Sequence, residues 1–256
     1  MTLLNDGSRD REHQLWNDAN RARNQGKHRE AIRLYRTLLV ENPNHREAAL
    51  RLAPMLALAG EFFESWQLYR RVALEHARDK QYFECLAVYR EACRFVPGEF
   101  EAWRLCADLL VKLKRHDEAF ETLLDGRTHF THVPHRAQAI ALLTRAREIE
   151  PWAGFVLLDL ARLYAEQGLS DLALELLANL APRLQGRDLR KVRLLQLRLT
   201  LSARHFFLWL KSFVVTRERE EDDDLPTLSL IDPLDPDEAL PPREAPPLRR
   251  VGGESA

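Results

Sequence analysis

Cys85-Leu86-Ala87-Val88-Tyr89-Arg90-Glu91-Ala92-Cys93-Arg94-Phe95-Val96-Pro97 reads as a helix that stops at a proline, and Pro43 and Pro151 stand 54 residues to either side of that proline. The surroundings repeat with them. Counting back from each proline, Tyr35, Tyr89 and Leu143 share one position, and Ala31, Cys85 and Ala139 share another. Counting forward, the sets Leu52/Cys106/Leu160, Ala53/Ala107/Ala161, Leu56/Leu110/Tyr164, Gly60/Lys114/Gly168, Ser65/Ala119/Ala173 and Tyr69/Leu123/Leu177 recur at the same interval. Large meets large and small meets small. A fixed period over so many positions predicts a solenoid, in which each unit buries its apolar face only by stacking on the next.

Composition points the same way. Leu, Ala, Arg and Glu dominate and glycine is scarce, which favours helix because these side chains lose little rotamer freedom there. With 45% hydrophobic residues most of the chain can bury a core, so disorder throughout is excluded.

Within each 54-residue unit the spacing resembles the tetratricopeptide repeat (TPR), a helical hairpin of about 34 residues patterned W-x2-L-G-x2-Y, then A-x3-F, then P. The clearest copy runs Leu157-x2-Leu160-Ala161-x2-Tyr164, Gly168, Ala173-x3-Leu177. Another keeps Gly26, Ala31-x3-Tyr35 and Pro43, and a third keeps Trp103-x2-Cys106-Ala107-x2-Leu110 and Ala119-x3-Leu123. The roughly 20 residues left over in each unit predict an extra helix, over 80–95 and 135–149, and helix 62–78 closes one hairpin while opening the next. This is similar to overlapping repeats in bacterial TPR scaffold proteins. The resemblance implies an all-α, right-handed superhelical solenoid over residues 12–203. A flexible stretch over 1–11, an aromatic-rich capping segment over 204–216 and a disordered, acidic, proline-rich tail over 217–256 complete the expected organisation. Helix is expected to continue from Asp188 to Arg204. Pro54 falls inside a predicted helix.

Charge is unevenly placed. Residues 217–256 hold 5 Lys/Arg and 12 Asp/Glu, leaving 33 against 27 in residues 1–216. A tail at −7 and a body at +6 suggest recruitment of a basic partner or an intramolecular contact of acidic tail with basic body. From Arg183 to Arg217 nine basic residues face the single acid Asp188, and helical spacing sets Arg187, Arg190, Lys191 and Arg198 near one face. Phe206 and Trp209 lie next to that charge, suited to capping the open end of the solenoid or to an interfacial anchor.

Signatures of chemistry are missing from the sequence. It has no glycine-rich phosphate loop, no Gly-x-Ser-x-Gly elbow and no His-Glu-x-x-His motif. Cys85, Cys93 and Cys106 form no Cys-x-x-Cys pair, so buried reduced thiols are expected. His129, His132 and His135 are spaced three apart, but Pro134 interrupts helical register, so an inter-helix loop is expected there and not a metal centre. The pair His116-Asp117 reads as turn chemistry at a hairpin. Trp16, Trp103, Trp152 and Tyr164 are expected to be core. No secretory signal is visible and the most apolar run, near 206–215, is far short of the ~20 residues that span a bilayer, so a cytoplasmic chain is expected.

The resemblance implies a groove lined by first-helix residues that do not serve the core, here Trp16, Asn20, Arg23, Arg104, Asp108 and Arg162. The expected function is a non-catalytic scaffold, with neither cofactor nor metal nor small-molecule substrate, that binds a peptide or helix of another protein. An adaptor touching anionic membrane or nucleic acid through 183–217 ranks below it, and a metal-dependent hydrolase ranks last.

Overall fold

The computed structural model describes residues 3–217, with side chains given over 9–213. Twelve α-helices are found there, and among the described residues there is no strand: α1 (Leu3–Asn24), α2 (His28–Glu41), α3 (Arg46–Leu58), α4 (Phe62–Arg78), α5 (Tyr82–Phe95), α6 (Phe100–Lys112), α7 (His116–Thr128), α8 (Arg136–Ile149), α9 (Gly154–Glu166), α10 (Ser170–Leu180), α11 (Gly186–Thr200) and α12 (Ala203–Arg217). Each packs mainly on the helix before and the helix after it, which makes the fold a TPR-like helical solenoid. The 54-residue period is a three-helix unit. Helices α2, α5 and α8 begin at 28, 82 and 136, helices α3, α6 and α9 at 46, 100 and 154, and helices α4, α7 and α10 at 62, 116 and 170.

Two kinds of turn produce this order. In the first, a residue in the left-handed region ends the helix, and the next residue donates its N–H five positions back. Gln81 N bonds His76 O at 2.9 Å, Glu61 N bonds Leu56 O at 2.8 Å, Arg115 N bonds Leu110 O at 2.9 Å, and Lys27 and Leu169 repeat the bond. This satisfies carbonyls that a helix end would leave bare. The left-handed residue is Gly26, Gly60 or Gly168 in three copies and Lys80 (φ 60) or Lys114 (φ 62) in the other two. The second turn carries Pro43, Pro97 and Pro151. There the N–H of Asn42, Val96 or Glu150 closes the last helical turn, and the proline, which has no N–H, prevents a further one.

Small residues let the helices approach. Ala31, Ala139, Ala53, Ala107 and Ala161 are fully buried, and Tyr35, Leu52, Leu56, Leu110, Leu123, Leu143, Leu160 and Leu177 fill the space beside them. The hydroxyl of Ser65, also fully buried, donates to the Ala53 carbonyl at 2.8 Å, while its equivalents Ala119 and Ala173 need no partner. Half-exposed ion pairs tie helices two apart along the stack. Arg36 of α2 pairs with Glu61 and Glu64 at the start of α4, and Arg90 of α5 repeats this 54 residues on with Glu118 of α7.

Several expectations change. Helix α1 begins at Leu3, inside the stretch expected to be flexible, because extending a packed helix costs far less than starting one and Arg11–Glu41 and Asn42–Glu12 contacts hold its middle. Helix does not run through to Arg204. Leu201 takes φ 47 and closes α11, and α12 turns back to pack on α11. Trp152 is not core but 59% exposed, with the Arg183 guanidinium 3.4 Å from its ring centroid. Its place in the turn after Pro151 puts the ring outside the helix stack. The proline-rich tail lies outside the described residues, apart from Arg217 at the end of α12.

Candidate functional site

Helices α6 and α8 flank α7, and between them lies a depression of about 550 Å³ lined by Arg104, Asp108, Ala141, Leu142, Thr144, Arg145 and Glu148. Its charges form a chain. Arg145 Nε donates to Asp108 Oδ1 at 2.9 Å, Arg104 Nη1 to Asp108 Oδ2 at 3.4 Å, and Arg145 also bonds Glu148. The hydrogen bond that Arg145 donates to Glu148, with help from Asp108, raises the pKa of Arg145 and secures its charge. Leu142 forms an apolar floor at 1% exposure, and Thr144 offers a hydroxyl. Such a surface can pair with peptide groups of either charge at its rim and take an apolar side chain between them.

Of the six residues expected to line a groove, Arg104 and Asp108 line this depression and the other four do not. Arg104 and Asp108 lie together on α6. Arg162, which the 54-residue period makes the equivalent of Asp108, is exposed on α9. On α1 the Trp16 ring is half-buried, stacked on His45 at 5.0 Å and edge-on to Tyr35 at 6.0 Å. Asn20 is engaged internally: its Nδ2 donates to the Trp16 carbonyl at 2.9 Å, and its Oδ1 accepts from the Tyr35 hydroxyl at 2.8 Å. A side chain so used positions Tyr35 and has little left for a partner. Arg23, half-buried, reaches the adjacent Asn24 at 3.4 Å.

Arg145 and Glu148 were missed by sequence reasoning because α8 reads as the extra helix of its unit. The signal that could have found them is the i, i+3 spacing of opposite charges on a helix otherwise rich in Ala and Leu. A second depression, about 480 Å³, is lined by Asn44, Arg46, Glu75, Arg78 and Asp79, and Arg46 fills it by pairing with Glu75 at 2.8 Å and Asp79 at 2.6 Å.

On α11, Arg187 and Arg198 are exposed while Arg190 and Lys191 are partly covered. Lys191 lies 3.8 Å from Asp188, and the Arg190 guanidinium lies 5.2 Å from the Phe213 ring. On α12 the rings of Phe206, Trp209 and Phe213 form a chain of contacts at 6.1 and 5.1 Å. His129 stacks on Trp103 at 5.3 Å and His135 meets Phe130 edge-on at 6.0 Å, which separates the two into different aromatic contacts of the α7–α8 loop. His116 begins α7 and Asp117 falls in its first turn. The three thiols are free and buried. Among the described residues no helix is long and apolar enough to cross a membrane.

No protein-family model and no curated protein matches the chain. Solved structures do. MamA is 16% identical over 79% of this chain and 96% of its own, with a TM-score of 0.30. PilF of Pseudomonas aeruginosa is 16% identical over 85% and 94%, TM-score 0.30. The thermophilic TPR protein TTC0263 of Thermus thermophilus is 18% identical over 83% and 93%, TM-score 0.29. The chain is similar to TPR proteins. The solenoid itself is built by the repeating helices and turns of the chain.

Proposed function

We propose that this chain is a non-catalytic interaction module that holds a segment of a partner protein in the depression between α6 and α8. The observation that carries this reading is the Arg104–Asp108–Arg145–Glu148 chain around the Leu142 floor. It supplies fixed, half-exposed charges of both signs around an apolar centre, the pattern of a peptide-binding rim and anchor. The absence from the sequence of any phosphate-loop, nucleophile-elbow or zinc-helix motif supports the non-catalytic part of the proposal. Cytoplasmic placement and a scaffold role belong to the same reading.

The test is site-specific photocrosslinking in the native host. A benzophenone side chain placed at Thr144 should give an adduct of discrete mass, and the adduct should disappear in the Arg104→Glu/Arg145→Glu background. A probe at the exposed Glu175 of α10 serves as control. Equal adducts from both positions, or none from Thr144, would defeat the proposal.

A further inference from the structure

The turn between α3 and α4 presents Leu58, Phe62 and Phe63 to solvent at 80%, 56% and 75% exposure. Of the four other turns of this kind, two stand at 54-residue spacing from it, around Lys114 and Gly168, with the same left-handed position and the same N–H bond five positions back. At the positions equivalent to Leu58, Phe62 and Phe63 those turns carry Lys112, His116 and Asp117, and then Glu166, Ser170 and Asp171. Both close without an apolar side chain there, and so does the Gly26 turn with Asn24, His28 and Arg29, while the Lys80 turn carries Arg78, Tyr82 and Phe83. The structural duties of the hairpin fall on buried positions that remain small or apolar in all three copies, such as Leu52/Cys106/Leu160 and Ala53/Ala107/Ala161. The turn therefore does not need these three side chains, and exposing two adjacent phenylalanines to water is unfavourable unless something covers them.

The charge near them is of both signs but unevenly paired. Glu61 and Glu64, which flank the phenylalanines, are both taken by Arg36 of α2. On the same stripe of α2, three and seven residues earlier, stand Arg33 and Arg29, both exposed. Neither is paired with an acid among the described residues. The local surface is an aromatic tip next to Arg36, whose stripe of α2 continues into two unpaired arginines.

We propose that Leu58, Phe62 and Phe63 together with Arg29 and Arg33 form a docking surface for an acidic amphipathic segment of a partner protein, separate from the α6–α8 depression. Apolar side chains of that segment cover the phenylalanines, and its carboxylates pair with the two arginines. The inference shares with the proposed function only the idea that the chain binds protein.

The test measures fluorescence anisotropy of the full chain with a labelled synthetic helix of about 16 residues, Leu and Phe on one face and Glu on the other, against a copy with Lys in place of Glu. The acidic peptide should bind at least about tenfold more tightly than the lysine copy and weaken with salt. Phe62→Ala/Phe63→Ala and Arg29→Glu/Arg33→Glu should each weaken it at least about tenfold, while Arg104→Glu/Arg145→Glu leaves it unchanged. Melting curves by circular dichroism should be unaltered in the Phe62→Ala/Phe63→Ala chain, since these side chains are exposed. Four results would overturn the inference: no saturable binding, preference for the lysine copy, loss of binding only in the α6–α8 variant, or tighter association with phosphatidylglycerol vesicles than with the peptide. The third would leave the proposed function standing, and failure of crosslinking at Thr144 would leave this docking surface standing.

Discussion

Replacing Gly126 by alanine sets two opposed effects against each other, and the structure decides which wins. Gly126 lies inside α7 with ordinary helical geometry, so alanine there should gain about 1 kcal/mol of helix propensity. A Cβ at that position, however, would lie 2.8 Å from Cγ, 2.9 Å from Cδ2 and 3.0 Å from Cβ of Trp103. Relaxed carbon contacts stand at about 3.5–4.0 Å, so the stem and inner ring of the indole would have to retreat by at least about 0.5 Å. The indole cannot do so freely: its Nε1 donates to the Pro97 carbonyl at 2.9 Å, and its face stacks on His129. Overpacking of this kind costs about 1–3 kcal/mol, and weakening the hydrogen bond adds up to about 1 kcal/mol. The expected net is a loss of about 1–2 kcal/mol, read as a lower urea midpoint at unchanged slope. In a Trp103→Leu background the clash is gone and the same change should become neutral or stabilising, a coupling visible in a double-mutant cycle. A higher midpoint for Gly126→Ala in the unaltered chain would refute the reasoning.

Lys114→Gly should stabilise the chain by about 0.5–1 kcal/mol in the same assay, because Lys114 holds φ 62, where Gly60 and Gly168 stand in the equivalent turns. Ala107→Leu should destabilise by about 1–3 kcal/mol, since Ala107 is fully buried at a close helix approach. The three thiols should be silent to a thiol reagent in the folded chain at neutral pH and all react in denaturant. Alkaline pH should weaken the fold. Burial pushes the Cys85 thiol up to about 11 and the Tyr89 hydroxyl up to about 12. The unfolded chain ionises these groups near about 8.5 and 10, so it binds fewer protons in between. Their stabilisation is complete below about 8.5 and is lost as pH rises through about 11 and 12; the urea midpoint should therefore be lower at pH 10.5 than at pH 8.

Much of the fold was legible because its signal is local and repeated. Tyr35, Tyr89 and Leu143, with their small partners Ala31, Cys85 and Ala139, mark one helix three times over. The prolines mark where that helix must stop, and the extra helices read at 80–95 and 135–149 are α5 and α8. The candidate surface was much less legible. Asn20 looked available to a ligand, but its capture by the Tyr35 hydroxyl links residues 15 positions apart on different helices, and no spacing rule announces it. Trp152 looked like core because tryptophans usually are, yet its place in the turn after Pro151 puts it under Arg183. Arg145 gained its meaning only when α8 was laid beside α6 and met Asp108 across 37 residues of chain.

By itself the sequence determined the helical class, the 54-residue unit and its stopping points, because helix propensity, proline and the size pattern of buried residues act within a few turns of chain. Tertiary packing alone decided which charges became internal braces and which stayed free. An ion pair such as Arg36–Glu64, or an unpaired Arg33 one turn away, depends on which helix is brought alongside and at what height, and that is set by the summed packing of the stack and not by either residue's neighbours in sequence.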